Sequence, residues 1–253
     1  MIGAIVQARM GSTRLPEKVM RKVLDRPLLY YLLERLNRSK MIDRIVIATT
    51  VNPNDQIIAD FAKEQGVAVY RGSENDVLDR YYQAAKEYGL DTIVRITADC
   101  PMHDPQILDG VIRQYANDPE SDFIATGPSY PEGFDVEVFS FKTLSRAWQE
   151  ASLVSEREHV TPYIKKSTDR FKVKILSIEP NLSHLRLTVD EKVDFRVIKG
   201  LIERLYSPNK LFGLKDLLRL YETEPEMFQL NQHVIRNEGY FNSLLKDKEV
   251  IKK

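Results

Sequence analysis

The chain has 253 residues, with 37 Lys and Arg against 37 Asp and Glu, so its formal net charge is zero. This balance argues against a general nucleic-acid-binding protein, which usually carries a basic excess. The single cysteine, Cys100, cannot form an internal disulfide, which fits a reducing compartment. No apolar run approaches the roughly 18 residues of a membrane span, and the N-terminus lacks the pattern of a signal peptide. We therefore expect a soluble cytoplasmic protein.

The first half of the chain alternates between short apolar runs and segments with helical spacing of apolar residues. Strands are predicted at residues 2–6, 45–48, 67–70 and 92–97, and helices at 27–36, near 57–61, at 77–88 and at 107–115. Such alternation implies parallel crossovers and helices on both faces of the sheet. The predicted fold class is α/β, a three-layer α/β/α arrangement around a mostly parallel, doubly wound, Rossmann-like sheet.

The second half has a looser pattern. Strand candidates are residues 123–125, 136–141, 171–178 and 185–189, and helices are expected at 142–151 and 193–205. From about Glu222 the periodicity weakens, and this tail packs either on the domain or on a second subunit. We treat residues 1–253 as one domain, with residues 222–253 as a helical tail.

The loop after the first strand is basic and contains a glycine. Residues 7–18 read QARMGSTRLPEK, which is neither a dinucleotide fingerprint nor a P-loop. Gly11 permits close backbone approach, Arg9 and Arg14 are suited to bidentate phosphate binding, and Lys18 adds a point charge. The loop is either a solvated basic turn or a phosphate site. Its place beyond the carboxyl end of a strand, where α/β sheets bind ligands, favours phosphate.

Two aspartates follow predicted strands. Asp99 comes after the strand at 92–97, and Asp190 ends the candidate strand at 185–189. Each alone is more simply a helix N-cap, and Asp190 would cap a helix that begins at residue 191 or 192. As a pair beside a phosphate loop, the two carboxylates are typical of a Mg²⁺ site. Cys100 is expected to be a small buried residue.

Several segments resemble the sugar cytidylyltransferases, the group that activates acylneuraminate and 3-deoxy-manno-octulosonate. The resemblance is greatest to the spore coat polysaccharide biosynthesis F subgroup and spans about residues 2 to 206. It is carried by residues 5–18, 71–80, 95–101, 157–164 and 187–195. The resemblance implies the fold of nucleotide-diphospho-sugar transferases and a homodimer. The implied reaction transfers CMP from CTP to an acidic or modified sugar, with release of pyrophosphate, for surface glycan synthesis.

The resemblance also implies roles for individual residues. Asp99 and Asp190 match metal positions, and Mg²⁺ is the implied cofactor. The nucleotide-binding residues are expected to be Ala8, Arg9, Gly11, Ser12, Thr13, Arg14, Lys18, Arg80 and Thr97. Arg9, Lys18 and Asp99 are the expected catalytic residues. The better-known members of the group have a Gln that helps to read cytosine where this chain has Thr97, so the base preference stays open.

On the acceptor side, Asp135 and Glu137 alternate and are expected on one face of a strand. They either accept hydrogen bonds from the sugar or face solvent while the neighbouring Phe134, Val136 and Val138 turn inward. Glu158 and His159 either contact the substrate or serve in capping and packing. Trp148 is expected to pack in the core.

Two other functions remain as alternatives. One is a metal-dependent glycosyltransferase of related fold, although such enzymes usually carry an Asp-x-Asp motif, which residues 99–101 lack. The other is a non-catalytic nucleotide-binding module. CTP and a sugar are the expected partners, with neither nucleic acid nor membrane.

Overall fold

A computed structural model describes residues 1–208 and 210–251. The strands are β1 (Ile2–Gln7), β2 (Lys22–Val23), β3 (Arg26–Pro27), β4 (Arg44–Thr50), β5 (Ala68–Gly72), β6 (Thr92–Thr97), β7 (Phe123–Thr126), β8 (Glu137–Ser140) and β9 (Val173–Leu176). The helices are α1 (Leu28–Leu36), α2 (Gln56–Glu64), α3 (Val77–Glu87), α4 (Pro105–Ala116), α5 (Phe141–Glu150), α6 (Val154–His159), α7 (Pro162–Lys166), α8 (Lys192–Leu205), α9 (Leu214–Thr223), α10 (Pro225–Gln229) and α11 (Glu238–Ile251).

Seven strands form the central sheet in the order β5-β4-β1-β6-β8-β7-β9. The pairs among β5, β4, β1 and β6 are parallel, and so is the pair β7 and β9. Only β8 runs antiparallel to its neighbours in this sheet. The prediction of a mostly parallel α/β sheet is therefore confirmed. In addition, β2 and β3 form a small hairpin.

Both faces of the sheet are buried, as expected for parallel strands covered by crossover helices. Alternate residues of β1 show this: Ala4 and Val6 pack under α1, α2 and α4, while Ile5 packs under α3 and α5. A third apolar cluster joins α8, α9 and α10 to Leu15 of the first loop. Burial of Leu15 anchors that loop beside the sheet edge.

The predicted strand at 185–189 is wrong. This stretch is extended and buried, but within the described residues it makes only an isolated bridge, between Arg186 and Glu132. Burial of its apolar side chains comes from packing on α8 rather than from a place in the sheet. Three helices, α6, α7 and α9, were not predicted from the sequence, and two of them have only five or six residues.

The C-terminal tail packs on the domain, where α11 lies against α6. Trp148 is partly buried as expected and stacks on Tyr82, with ring centroids 4.1 Å apart. Its indole N–H donates a hydrogen bond to Asp79 over 2.9 Å. In the described part of the chain, no helix combines the length and the hydropathy that a membrane crossing requires.

Candidate active site

The site lies where β1 and β6 end side by side. The two strands are parallel neighbours, and the amide of Ala98 donates to the carbonyl of Gln7 over 3.0 Å. The loop after β1 and Asp99 after β6 therefore emerge at the same edge. The amide of Val189 donates to the carbonyl of Asp99 over 2.8 Å, which brings Asp190 to this edge although its segment is not a strand.

Lys18 joins the two aspartates. Its ammonium nitrogen lies 2.6 Å from Oδ2 of Asp99 and 2.9 Å from Oδ1 of Asp190. The Lys18 side chain is only 12% exposed, so this contact is well shielded from solvent. Three residues that the sequence assigned to phosphate or metal thus meet at one point, although they are 81 and 172 positions apart in the chain.

The charges of this cluster stabilise one another. Burial alone would raise the pKa of Asp99, but the charge and hydrogen bond of Lys18 outweigh burial and hold that pKa at about 2. Burial alone would lower the pKa of Lys18, yet Asp99 and Asp190 raise it above its usual value. At neutral pH the ammonium and the Asp99 carboxylate are therefore both charged.

The donor set suits a divalent cation that arrives with a phosphate. Two carboxylates converge on one cationic group, while the described residues contain no cluster of three or more His, Cys, Asp or Glu side chains that could hold a metal. Mg²⁺ is commonly bound through one or two carboxylates plus substrate phosphates rather than in an all-protein cage. Asp99 and Asp190 fit that mode.

The N-cap alternative for Asp190 is not what the structure shows. The N-cap of α8 is Glu191, whose backbone N–H donates to Asp194 over 2.9 Å. The Asp190 carboxylate instead contacts Lys18, Arg14 at 3.0 Å and Arg186 at 3.0 Å. Three cations around one carboxylate are an electrostatic arrangement rather than a helix cap.

The first loop is a compact turn fixed to the sheet edge. Ser12 and Glu17 both donate their backbone N–H to the carbonyl of Met10, at 2.8 and 3.0 Å, and the Met10 N–H donates to Asp55 over 2.6 Å. Within the turn, Gly11 and Thr13 are exposed and Ala8 is buried.

The loop cations take different directions. Arg14 joins the acidic pair and also contacts Glu238 at 2.7 Å. Arg9 is 43% exposed and lies 3.8 Å from Glu74, so it does not join the Lys18 cluster in this structure.

Arg80 and Thr97 are two further residues that we expected to bind the nucleotide. Arg80 is buried and donates to the carbonyl of Ser73 over 3.0 Å, while its Nε atom has no hydrogen-bond partner among the described residues. Burial lowers the pKa of Arg80. The Thr97 hydroxyl lies 3.2 Å from Sγ of Cys100 and also holds the pKa of Asp99 down. Cys100 is buried as expected, and burial raises its pKa.

Arg186 was missed by sequence reasoning. Its side chain is 4% exposed and pairs with Glu132 at 2.6 Å, Asp190 at 3.0 Å and Asp194 at 2.9 Å. These contacts fix the orientation of Asp190 from behind. The signal in the sequence is an arginine inside an apolar run with acids four and eight residues later, a spacing that is visible but not specific.

Asp135 and Glu137 do not share a strand face. Asp135 precedes β8 and is exposed, 3.6 Å from Arg236. Glu137 is buried, so the solvent-facing alternative is wrong for this residue. It contacts Lys165 and lies 2.8 Å from Arg95. Burial alone would raise the pKa of Glu137, but these two cations hold it at about 2.

Glu158 and His159 end α6 and contact α11. The Ser243 hydroxyl donates to Glu158 over 2.7 Å and lies 3.0 Å from Nε2 of His159. Burial, aided by the charge of Arg95, lowers the pKa of His159 to about 4, so the ring is neutral at pH 7. The packing role that the sequence left open is therefore present.

Comparison with known proteins shows the family to which this chain belongs. A family model described as cytidylyltransferase matches residues 3–234. An uncharacterized protein of Methanocaldococcus jannaschii is 38% identical over 93% of this chain and 96% of its own length. The spore coat polysaccharide biosynthesis protein SpsF of Bacillus subtilis is 36% identical over 79% of this chain and 85% of its own.

The fold of this chain agrees with that of a solved structure. A solved cytidylyltransferase from Leptospira borgpetersenii superposes with a TM-score of 0.86 and 36% identity, covering 93% of this chain and 99% of its own. The family match includes the first loop, Asp99 and Asp190, the three parts that meet at Lys18. The chain is therefore a member of the cytidylyltransferase family.

Proposed function

We propose that this enzyme transfers CMP from CTP to an acidic or otherwise modified sugar, with release of pyrophosphate, in the synthesis of a surface polysaccharide. The observation that carries the proposal is the meeting of Lys18 with Asp99 and Asp190 at the ends of neighbouring segments. The 36% identity to a spore coat polysaccharide biosynthesis protein supports the sugar as acceptor. Membership of the cytidylyltransferase family favours this function over a glycosyltransferase.

In this proposal the first loop binds the triphosphate. Lys18 and Arg14 are held at the site by carboxylates, and phosphate oxygens would replace those carboxylates as their partners. Backbone N–H groups of the turn around Gly11 are suited to phosphate oxygens as well. Arg9 is exposed and paired only loosely with Glu74, so it is free to turn toward the phosphates.

Asp99 and Asp190 would hold the divalent cation, for which we propose Mg²⁺. When bound, the ion would neutralise phosphate charge and favour departure of pyrophosphate. Arg186 would keep the Asp190 carboxylate oriented, since it contacts Asp190 and two further buried acids.

The proposed transfer is a substitution at the α-phosphorus of CTP. An oxygen of the acceptor, from a hydroxyl or from a sugar phosphate, forms a bond to the α-phosphorus, and the bond from that phosphorus to the oxygen bridging to the β-phosphorus breaks. Pyrophosphate leaves with the bonding electrons, and the proton of an attacking hydroxyl is released to solvent. The protein contributes by positioning the reactants and by neutralising charge, which is the main source of catalysis in such reactions.

A pyrophosphate-release assay tests the proposal. The four ribonucleoside triphosphates are combined with 3-deoxy-manno-octulosonate, N-acetylneuraminate and hexose 1-phosphates in the presence of Mg²⁺. We expect release with CTP and at least one acceptor. Asp99→Asn should lower kcat/KM at least 100-fold, because it removes a carboxylate from the phosphate and cation site.

Asp60→Asn is the matched control, since Asp60 is exposed on α2 and bonds only Gln56 within the described residues. It should keep kcat/KM within twofold. Full activity of Asp99→Asn with unchanged Mg²⁺ dependence would contradict the metal assignment. Cytoplasmic location and homodimeric assembly stay predictions.

A further inference from the structure

The C-terminal segment, residues 231–247, lies along the predicted acceptor side of the site. Ser243 contacts Glu158 and His159, and Arg236 lies 3.6 Å from Asp135. Glu238 also reaches the first loop, 2.7 Å from Arg14. Three of the four residues assigned to the acceptor thus contact this segment, which therefore borders the place where an acceptor would sit.

Most of this segment follows the residues that the family model matches. The family model ends at residue 234, two positions before Arg236. Lys18, Asp99 and Asp190, which we expect to bind phosphate and metal, all lie inside the matched part. A segment that borders the acceptor side but lies apart from the groups that bind phosphate and metal is suited to set which acceptor this chain accepts.

Arg236 uses few of its guanidinium N–H groups in the contacts that the structure describes. Its side chain is 28% exposed, and its Nη1 donates one hydrogen bond, to the carbonyl of Pro128 at 3.3 Å. Its ion pair with Asp135 is too long for a hydrogen bond. Because a guanidinium carries five N–H donors, most of them are unused in these contacts.

A series of ion pairs leads from the neighbourhood of Arg236 to the reacting groups, because Glu238, two positions later, lies 2.7 Å from Arg14, and Arg14 lies 3.0 Å from Asp190. Burial raises the pKa of Glu132, while the charges of Arg186 and Arg236 act against that rise. Glu132 pairs with Arg186 at 2.6 Å, and Arg186 in turn lies 3.0 Å from Asp190. Arg236 lies on the acceptor side of this chain of charges, next to exposed Asp135.

From this geometry we propose that Arg236 is a specificity-determining residue that binds the negatively charged group, a carboxylate or a phosphate, of the acceptor. The inference rests on the proposed function and adds the residue that recognises the acceptor's charge. Asp135 holds the guanidinium loosely in the absence of the acceptor, and an anion on the acceptor replaces or joins it. The planar guanidinium is suited to a bidentate pair with either anion.

The test compares full-length Arg236→Gln, Arg236→Lys and wild type in the pyrophosphate-release assay. Acceptors are 3-deoxy-manno-octulosonate, N-acetylneuraminate, their methyl esters and a hexose 1-phosphate. For Arg236→Gln we expect the acceptor KM to rise at least tenfold, or about 1.4 kcal/mol, with the CTP KM within twofold. The preference of wild type for acid over methyl ester should disappear. Arg236→Lys should lie between the two.

Arg219→Gln is the matched control, because Arg219 also forms a loose 3.6 Å ion pair, with Asp216, and lies on α9. It should leave both KM values within twofold. Thermal unfolding of each variant shows whether a change reflects folding. A rise confined to carboxylate acceptors identifies a carboxylate as the ligand, and a rise confined to the hexose 1-phosphate identifies a phosphate.

Three results would overturn the inference. An unchanged acceptor KM in Arg236→Gln, with turnover intact, contradicts the role of Arg236 while the proposed function stands. An equal rise in the KM of CTP and of every acceptor, esters included, assigns Arg236 a structural role only. If wild type releases no pyrophosphate with any acceptor, the proposed function itself fails and the inference fails with it.

Discussion

At the residue scale, histidines in the interior make the free energy of unfolding of this protein depend on pH. His103 is 1% exposed, and its Nε2 has no hydrogen-bond partner within the described residues. Burial, together with the charge of Arg35, lowers the pKa of His103 to about 4. An unfolded histidine has a pKa of about 6.5. Between pH 6.5 and 4, His103 is therefore protonated in the unfolded state but stays neutral in the folded state.

We therefore expect the free energy of unfolding to fall as the pH is lowered from 6.5 toward 4, by up to about 3 kcal/mol at pH 4 from His103 alone. His159, with a pKa also near 4, adds to the same loss. Urea unfolding at pH 7, 6, 5 and 4.5 measures the slope. Asp99 and Glu137, with pKa values of about 2, lose their stabilising contribution as the pH falls from about 4 toward 2.

His103→Gln should reduce this slope, whatever its effect on stability at pH 7. The matched control is His184→Gln, since His184 is exposed. A slope in His103→Gln equal to that of wild type would show that His103 is protonated to the same degree in both states.

Site residues differ in how far the sequence can predict them. Lys18, Asp99 and Asp190 were predicted because each lies in a recognisable motif near the end of a strand or extended segment. Arg186 and the partners of Glu137 were not, because their roles depend on residues brought together by the fold. Arg95 and Lys165, for example, approach Glu137 from β6 and α7.

At the scale of elements, α11 buries polar residues and exposes apolar ones, which is the reverse of what its sequence predicts. Ser243 and Asp247 are buried against α6, whereas Phe241 and Leu245 are exposed. A helix usually buries its apolar stripe, so the tail showed only weak periodicity in the sequence. Its packing depends instead on polar contacts, which periodicity does not reveal.

One of these contacts completes the start of α6. The N-cap of α6 is Leu153, whose side chain cannot accept a hydrogen bond, and the backbone N–H of Ser155 donates to Asp247 of α11 over 2.9 Å. Asp247 thus acts as the missing cap from another helix. Asp247→Ala should lower the free energy of unfolding by about 1 to 2 kcal/mol, the usual contribution of a cap.

Urea unfolding of Asp247→Ala, Asp247→Asn and wild type measures this effect. Asn keeps an accepting oxygen and should retain most of the stability. Glu249→Ala is the control, since Glu249 is exposed two positions later. Equal stability of Asp247→Ala and wild type would show that water caps α6 equally well.

The strands of the first half were the easiest elements to predict. Residues 92–97 were placed without error, because Ile93, Val94 and Ile96 lie close together in sequence, as is typical of strands that are buried on both faces of a sheet. Residues 185–189 share that pattern of burial, yet they pack on α8 beside the sheet. An apolar run in the sequence indicates that a segment is buried. Which element packs against that segment depends on the whole fold.

For the whole molecule, the zero net charge conceals a site in which cations and anions lie together and neutralise one another. Lys18 is held by Asp99 and Asp190, and Arg14 by Asp190 and Glu238. A triphosphate alone would take the cations and leave the carboxylates unpaired. A divalent cation alone would displace Lys18 without giving it a new partner. Each ligand therefore creates the charge that the other neutralises, and the two should bind cooperatively.

We expect CTP alone and Mg²⁺ alone to raise the Tm by less than about 1 °C each, and both together to raise it by about 5 °C. The larger shift corresponds to the roughly 2.7 kcal/mol that a ligand provides at 100 times its Kd. Lys18→Met should respond to Mg²⁺ alone, because its two carboxylates lack their ammonium. Additive shifts in wild type, or a Lys18→Met variant insensitive to Mg²⁺, would mean that the charges of the site are not exchanged between lysine, cation and phosphate.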